Sequence, residues 1–172
     1  MKCPNCQAEM TTMTLDARPG AVTHITVLDI DVCMGCQAIW FDAHDSNLLS
    51  QGASLKLMKL IGEQPASGNV VRPELLQCPR CSGRLPLIHD LQGNTKFSYW
   101  RCSEHGRFIG FLDFLREKSF IHTLSTKEIA DLSQHIQMVN CVNCGAPIDL
   151  SNSSVCSHCG SPISLVDVKS KL

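Results

Sequence analysis

Apolar and polar residues alternate from Ile25 to Val32, with Leu28, Ile30 and Val32 on one face and Ile25 and Val27 on the other. A period of two predicts a strand, here one leading into Cys33. A second alternating run, Phe97 and Tyr99 against Ser98 and Trp100, predicts a strand leading into Cys102. Helical spacing appears from about Asp45 to Ile61, where Leu48, Leu49, Leu55, Met58 and Ile61 recur, although Gly52 weakens the pattern. A second helix is expected from Phe111 to about His122 and a third from Thr126 to Met138. Ser125 followed three residues later by Glu128 reads as a capping box for the third.

These elements fall into three modules: residues 1–64, 70–139 and 140–172, with Pro65-Ala66-Ser67-Gly68-Asn69 as a linker after the first. Modules one and two are an internal repeat. Each opens with Cys-Pro-x-Cys, passes through a turn-rich stretch and a strand, and reaches a second pair of the same spacing. Each then turns apolar: Ile39-Trp40-Phe41-Asp42 in the first copy, Phe108-Ile109-Gly110-Phe111-Leu112-Asp113 in the second. The third module is shorter. Gly145-Ala146-Pro147-Ile148 after one cysteine pair is echoed by Gly160-Ser161-Pro162-Ile163 after the other, which suggests two pseudo-symmetric loops around one centre.

The 11 cysteines change the picture from patterning to chemistry. Ten form Cys-x-x-Cys pairs: Cys3/Cys6, Cys33/Cys36, Cys78/Cys81, Cys141/Cys144 and Cys156/Cys159. The eleventh, Cys102, has His105 at the same spacing, giving twelve ligands, or three sets of four. A tight turn with two residues between cysteines offers both thiolates to one metal, and four such ligands in a tetrahedron are what structural zinc takes. Pro4, Gly35, Pro79, Gly83, Gly106, Gly145 and Gly160 serve those turns. The competing disulfide framework suits neither the odd cysteine count nor the spacing. Met1-Lys2 runs straight into Cys3 without an apolar leader, and no stretch approaches the roughly 18 apolar residues of a membrane span. The expected compartment is therefore the reducing cytoplasm. Three zinc ions are expected, in Cys3/Cys6/Cys33/Cys36, Cys78/Cys81/Cys102/His105 and Cys141/Cys144/Cys156/Cys159. Modules this small cannot bury enough apolar surface alone, so the metal supplies folding free energy. The expected class is a small metal-stabilised α+β fold of three zinc-ribbon-like modules, antiparallel hairpins with zinc knuckles joined by helices.

Charge narrows function. With 15 basic and 16 acidic residues, the chain lacks the basic excess of a general nucleic-acid binder. The run Lys96-Phe97-Ser98-Tyr99-Trp100-Arg101 interleaves basic and aromatic residues as a base-stacking strand would. Adjacent strand residues face opposite ways, however, so Tyr99 and Trp100 cannot line one binding face, and the core reading is preferred. Trp40 and Phe41 are likewise expected to cover a knuckle rather than anchor a partner. His24, His44, His89, His122, His135 and His158 lie outside ligand spacing. No catalytic triad, His-Glu-x-x-His or phosphate loop is present in the sequence. Every expected metal site is coordinatively full, so no enzymatic activity is expected. A redox role for one metal-free cysteine pair is the enzymatic rival.

The run from Cys3-Pro4-Asn5-Cys6 to Cys33-Met34-Gly35-Cys36-Gln37-Ala38-Ile39-Trp40-Phe41-Asp42 resembles the transcription-factor-IIB-type zinc ribbons of small bacterial proteins, whose pattern ends in Cys-x-x-Cys-x-x-x-Trp-(Leu/Phe)-Asp before a helix. Module two resembles a degenerate copy, with His105 for the last cysteine and Ile109 where the tryptophan would fall. Module three resembles the short ribbons that end such chains. The resemblance implies metal and fold but not function, since ribbons of this type serve transcription factors, polymerase subunits and adaptors alike. The expected role is an adaptor that binds a protein partner. The alternative is a nucleic-acid-binding or transcription-associated module acting through the second ribbon.

Overall fold

The computed structural model describes residues 1–19, 24–43, 45–63 and 76–166. The expected linker at residues 65–69 and His44 lie outside them. In chain order the elements begin with β1 (Thr11–Asp16), β2 (Val27–Cys33) and β3 (Ala38–Asp42), followed by α1 (Asp45–Leu48) and α2 (Gln51–Gly62). Next come β4 (Leu76–Gln77), β5 (Arg84–Leu85), β6 (Leu87–Gln92), β7 (Thr95–Cys102), β8 (Gly106–Gly110) and α3 (Phe111–Glu117). The last are β9 (Ile121–Thr123), α4 (Thr126–Ser133), β10 (Met138–Asn140), β11 (Pro147–Asp149) and β12 (Ser164–Val166). The fold is a small α+β arrangement, and the pairings that build it are antiparallel. No helix among the described residues is long and apolar enough to cross a membrane.

The chain forms two compact units, Met1–Asp90 with Phe97–Phe114, and Leu91–Lys96 with Leu115–Leu172. The first contains both long ribbons, because the strands that follow their second knuckles pair with each other. β3 runs antiparallel to β8, from Ala38 opposite Gly110 to Asp42 opposite Gly106. The resulting six-stranded sheet has the order β1-β2-β3-β8-β7-β6. Each half is the other's mirror in strand order, so the internal repeat folds as a pseudo-twofold pair within one chain.

Alternation sets the two faces of this sheet. On one face Trp40, Trp100 and Phe108 join Met10, Leu76 and Leu85 in a buried cluster that also holds Cys3, Cys33, Cys36 and Cys78. On the other, Ile30, Val32, Ile39, Phe41 and Ile109 are fully buried, and the Phe41 and Phe114 rings stack 5.7 Å apart. Tyr99 and Trp100 lie on opposite faces, as alternation requires, and both are buried, at 8% and 7% exposure. Register corrects one detail of the repeat. Cys33 pairs with Ala38, whereas Cys102 pairs with Gly106, so the second hairpin loop is one residue shorter. Phe108, directly opposite Trp40, therefore takes the tryptophan's place, not Ile109.

The first expected helix is interrupted, and the second and third end before their sequence patterns do. The first breaks at Leu49, which bridges to Ala17, and restarts as α2 behind Ser50, whose side chain accepts from the Ala53 N–H. The second ends at a Schellman motif: Phe120 N–H donates to Leu115 O, Ser119 N–H donates to Arg116 O, and Ser119 sits at φ 58°. In the third, the capping box of Ser125 and Glu128 is present. This helix ends at Ser133, and Met138, the expected last residue, instead opens β10, which pairs with β11 from Met138 opposite Asp149 to Asn140 opposite Pro147.

Candidate metal centres

The twelve expected ligands gather into three groups: Cys3, Cys6, Cys33 and Cys36; Cys78, Cys81, Cys102 and His105; and Cys141, Cys144, Cys156 and Cys159. Within each group the ligand atoms all lie within 4.8 Å of one another. The spacing tests whether a metal fits. A tetrahedral zinc at about 2.3 Å from sulfur sets sulfur–sulfur edges of about 3.8 Å and sulfur–nitrogen edges of about 3.6 Å. The recorded edges are Cys3–Cys36 3.9 Å, Cys6–Cys33 3.5 Å, Cys81–Cys102 3.9 Å, Cys141–Cys159 3.6 Å and Cys144–Cys156 3.7 Å. Cys102 Sγ and His105 Nδ1 are 3.4 Å apart. A disulfide, by contrast, requires about 2.05 Å. Among the described residues no other histidine joins such a group.

One local device recurs in all six knuckles. The residue directly after the second ligand has positive φ: Gln7, Gln37, Ser82, Gly106, Gly145 and Gly160. That left-handed residue turns the chain sharply away once both ligands are placed. Three of the six positions are not glycine, while Gly35 and Gly83, expected to serve the turns, have no such conformation. His105 shares the device through Gly106, which independently marks it as the equivalent of Cys36. Four knuckles also share a backbone pattern: the positive-φ N–H donates to the first cysteine's carbonyl, in Gln7 to Cys3, Ser82 to Cys78, Gly145 to Cys141 and Gly160 to Cys156.

Contacts behind the ligands come from residues the sequence reading passed over. Asn5 Nδ2 donates to Cys36 Sγ at 3.2 Å and Asn143 Nδ2 to Cys159 Sγ at 3.7 Å. Both sit just before the second cysteine of a knuckle, so the shared Cys-x-Asn-Cys was the available signal. In the second centre that position is Arg80, which instead donates to both oxygens of Asp42, at 3.0 and 2.6 Å. Asp42 also accepts from Trp40 Nε1 at 2.9 Å, so it ties the first ribbon's strand to the second ribbon's knuckle.

The thiols compete for protons. Burial pushes Cys36 and Cys78 up to about 11 and raises Cys3 further, against N–H groups that favour the thiolate. At Cys144 the Ala146 N–H favours the thiolate, but burial and the three neighbouring thiols together push it up to about 12. Ser161's hydroxyl and N–H hold Cys159 down at about 5. Burial opposes ionisation at Cys102, yet the Glu104 N–H, His105 and Cys78 together leave it at about 6. Four sulfurs this close cannot all ionise without a compensating cation, and a divalent metal removes that conflict. The donor sets are those of zinc sites: four thiolates in the first and third centres, three thiolates and an imidazole in the second. No family model, curated protein or solved structure matches the chain.

Proposed function

We propose that this protein is a non-catalytic, cytoplasmic adaptor held together by three structural zinc ions and built from ribbons of the transcription-factor-IIB type. One observation carries the reading: each centre offers four ligand atoms on tetrahedral edges, leaving the metal no place for substrate or water. The metal's work is then to fold three small modules whose surfaces meet a protein partner. The sheet supports this use, since among the described residues β1 and β6 stand at the ends of the strand order and offer backbone edges that a partner strand can extend, except at the Asp16 end of β1, whose carbonyl already accepts from the Ser50 N–H. The burial of Tyr99 and Trp100 counts against the nucleic-acid alternative, which needs accessible rings to stack bases.

The test is metal content combined with thiol accessibility. Elemental analysis should give about three zinc per chain, with labelling of cysteines slow until a chelator is added. Rapid labelling of one Cys-x-x-Cys pair with all zinc retained would favour the redox reading and sink the adaptor.

A further inference from the structure

The pair that follows the knuckle closure differs in kind between the two ribbons. In the first, Val32 stands opposite Ile39, and both are fully buried. At the equivalent place in the second, Arg101 stands opposite Arg107. Like charges directly opposite each other weaken a sheet, so folding alone does not favour this exchange. The two guanidinium groups share the face of Tyr99 and line a cavity of about 190 Å³ together with Ser46, Asn47 and Ser103. Arg107 is positioned: its guanidinium lies 4.8 Å over the Tyr99 ring and 5.8 Å from the Phe41 ring, and it donates to Ser46 Oγ. Arg101, the other cation of the lining, is exposed. Asp42 also lines the cavity, and its oxygens accept from Arg80 and Trp40.

We infer that this cavity binds a carboxylate carried by a peptide, with Arg101 as the bidentate clamp and Arg107 as the fixed charge behind it. A planar guanidinium matches a carboxylate's two oxygens, and the Tyr99 and Phe41 rings hold that of Arg107 in place behind the clamp. A cavity of this volume takes a single anionic group rather than a strand of phosphates. The near-zero net charge gives a polyanion no long-range attraction, and among the described residues no ring at the mouth is accessible for stacking. The inference rests on the adaptor reading for its carrier, a protein partner. The carboxylate comes from an internal acidic side chain or from a chain terminus.

Nuclear magnetic resonance of the zinc-loaded full chain separates these cases, following the Nε–H signals of Arg101 and Arg107. The probes are a capped pentapeptide with a central glutamate, its glutamine counterpart, and the glutamine peptide with a free C-terminal carboxylate. Saturable shifts with a Kd of about 1 mM are expected for one carboxylate peptide, corresponding to a modest binding energy. The glutamate peptide saturating first assigns an internal acidic residue, and the free terminus first assigns a chain end. Arg101→Gln should weaken binding at least tenfold with an unchanged melting temperature, and Arg101→Lys, which keeps charge but loses the fork, should weaken it less. Equal shifts with the capped glutamine peptide, no shift with any peptide, unaltered binding by Arg101→Gln, or shifts produced only by an oligothymidine would each overturn the assignment. Zinc measured on the same samples keeps the two readings apart. Three zinc per chain without shifts removes the cavity's role alone, and a lower zinc content removes the adaptor reading while the shifts still decide the cavity.

Discussion

Gly106 shows how much one position can decide. It closes the second hairpin at φ +139°, and a Cβ placed on it would sit 2.1 Å from the Phe41 carbonyl oxygen across the β3–β8 junction. Both the conformation and the close approach demand glycine. Gly106→Ala should therefore cost about 3 kcal/mol in thermal or denaturant unfolding. Gly35→Ala, with nothing within 4 Å of the new Cβ, serves as its near-neutral control. The thiols yield a second expectation at this scale. Cys3, Cys36, Cys78 and Cys144 all lie above their ordinary range without metal, so each carries its proton at pH 7 and must surrender it to bind zinc. Loading the apo-protein in weakly buffered solution should release at least these four protons per chain, and apparent zinc affinity should climb as pH rises. A pH-stat reading of about two or fewer would contradict the ligand assignment. The three groups of four potential ligands were legible in the sequence, because the spacing within each pair is covalently fixed. The positive-φ residues were only half legible: Gln7, Gln37 and Ser82 adopt it without glycine's signature.

At the scale of elements, sequence periodicity located the helices of the described residues, but it missed the break in the first and overran the ends of the second and third. The reason is local in each case. Ser50 offers its hydroxyl to a new first turn, Ser119 accepts a left-handed conformation, and Met138 finds a strand partner. Side-chain caps and tertiary pairing outweigh the propensity of a few residues, and neither is visible to a periodicity count. The Schellman turn gives a direct check. A serine at φ 58° carries a steric penalty that glycine lacks, partly offset by glycine's greater freedom when unfolded. Ser119→Gly should accordingly stabilise the protein by about 0.5 kcal/mol, read as a higher midpoint in urea. An unchanged or lower midpoint would show that the serine side chain contributes more than its backbone costs. Ser125→Ala, which removes the capping box, should cost about 1 kcal/mol by the same measurement.

For the molecule as a whole, the shared core couples the first two centres. Cysteines of both lie in one buried cluster with Trp40 and Trp100, whereas the third centre packs with Leu124, Ile129, Ile148 and Ile163 in the other compact unit. A structural zinc contributes on the order of 10 kcal/mol in a peptide-sized host. Cys33→Ser should thus lose the second zinc with the first, leaving one per chain by native mass spectrometry and red-shifting tryptophan emission. Cys156→Ser should lose only the third and leave the emission unchanged. Two zinc ions retained in Cys33→Ser would show that the ribbons fold independently. That pairing could not be read from the sequence: the repeat was plain, but nothing in either copy announces that its last strand will seek the other's.

The paired ribbons have a further consequence. In a dimer of identical subunits, every substitution appears twice, so a charge placed beside the junction would meet its own copy and a site could be opened only in duplicate. Joining both halves covalently removes that restriction and makes their association independent of dilution. One half can keep Val32 and Ile39 as packing while the other gives the same two positions to arginine. The duplication thus supplies a stable half against which its twin is free to specialise.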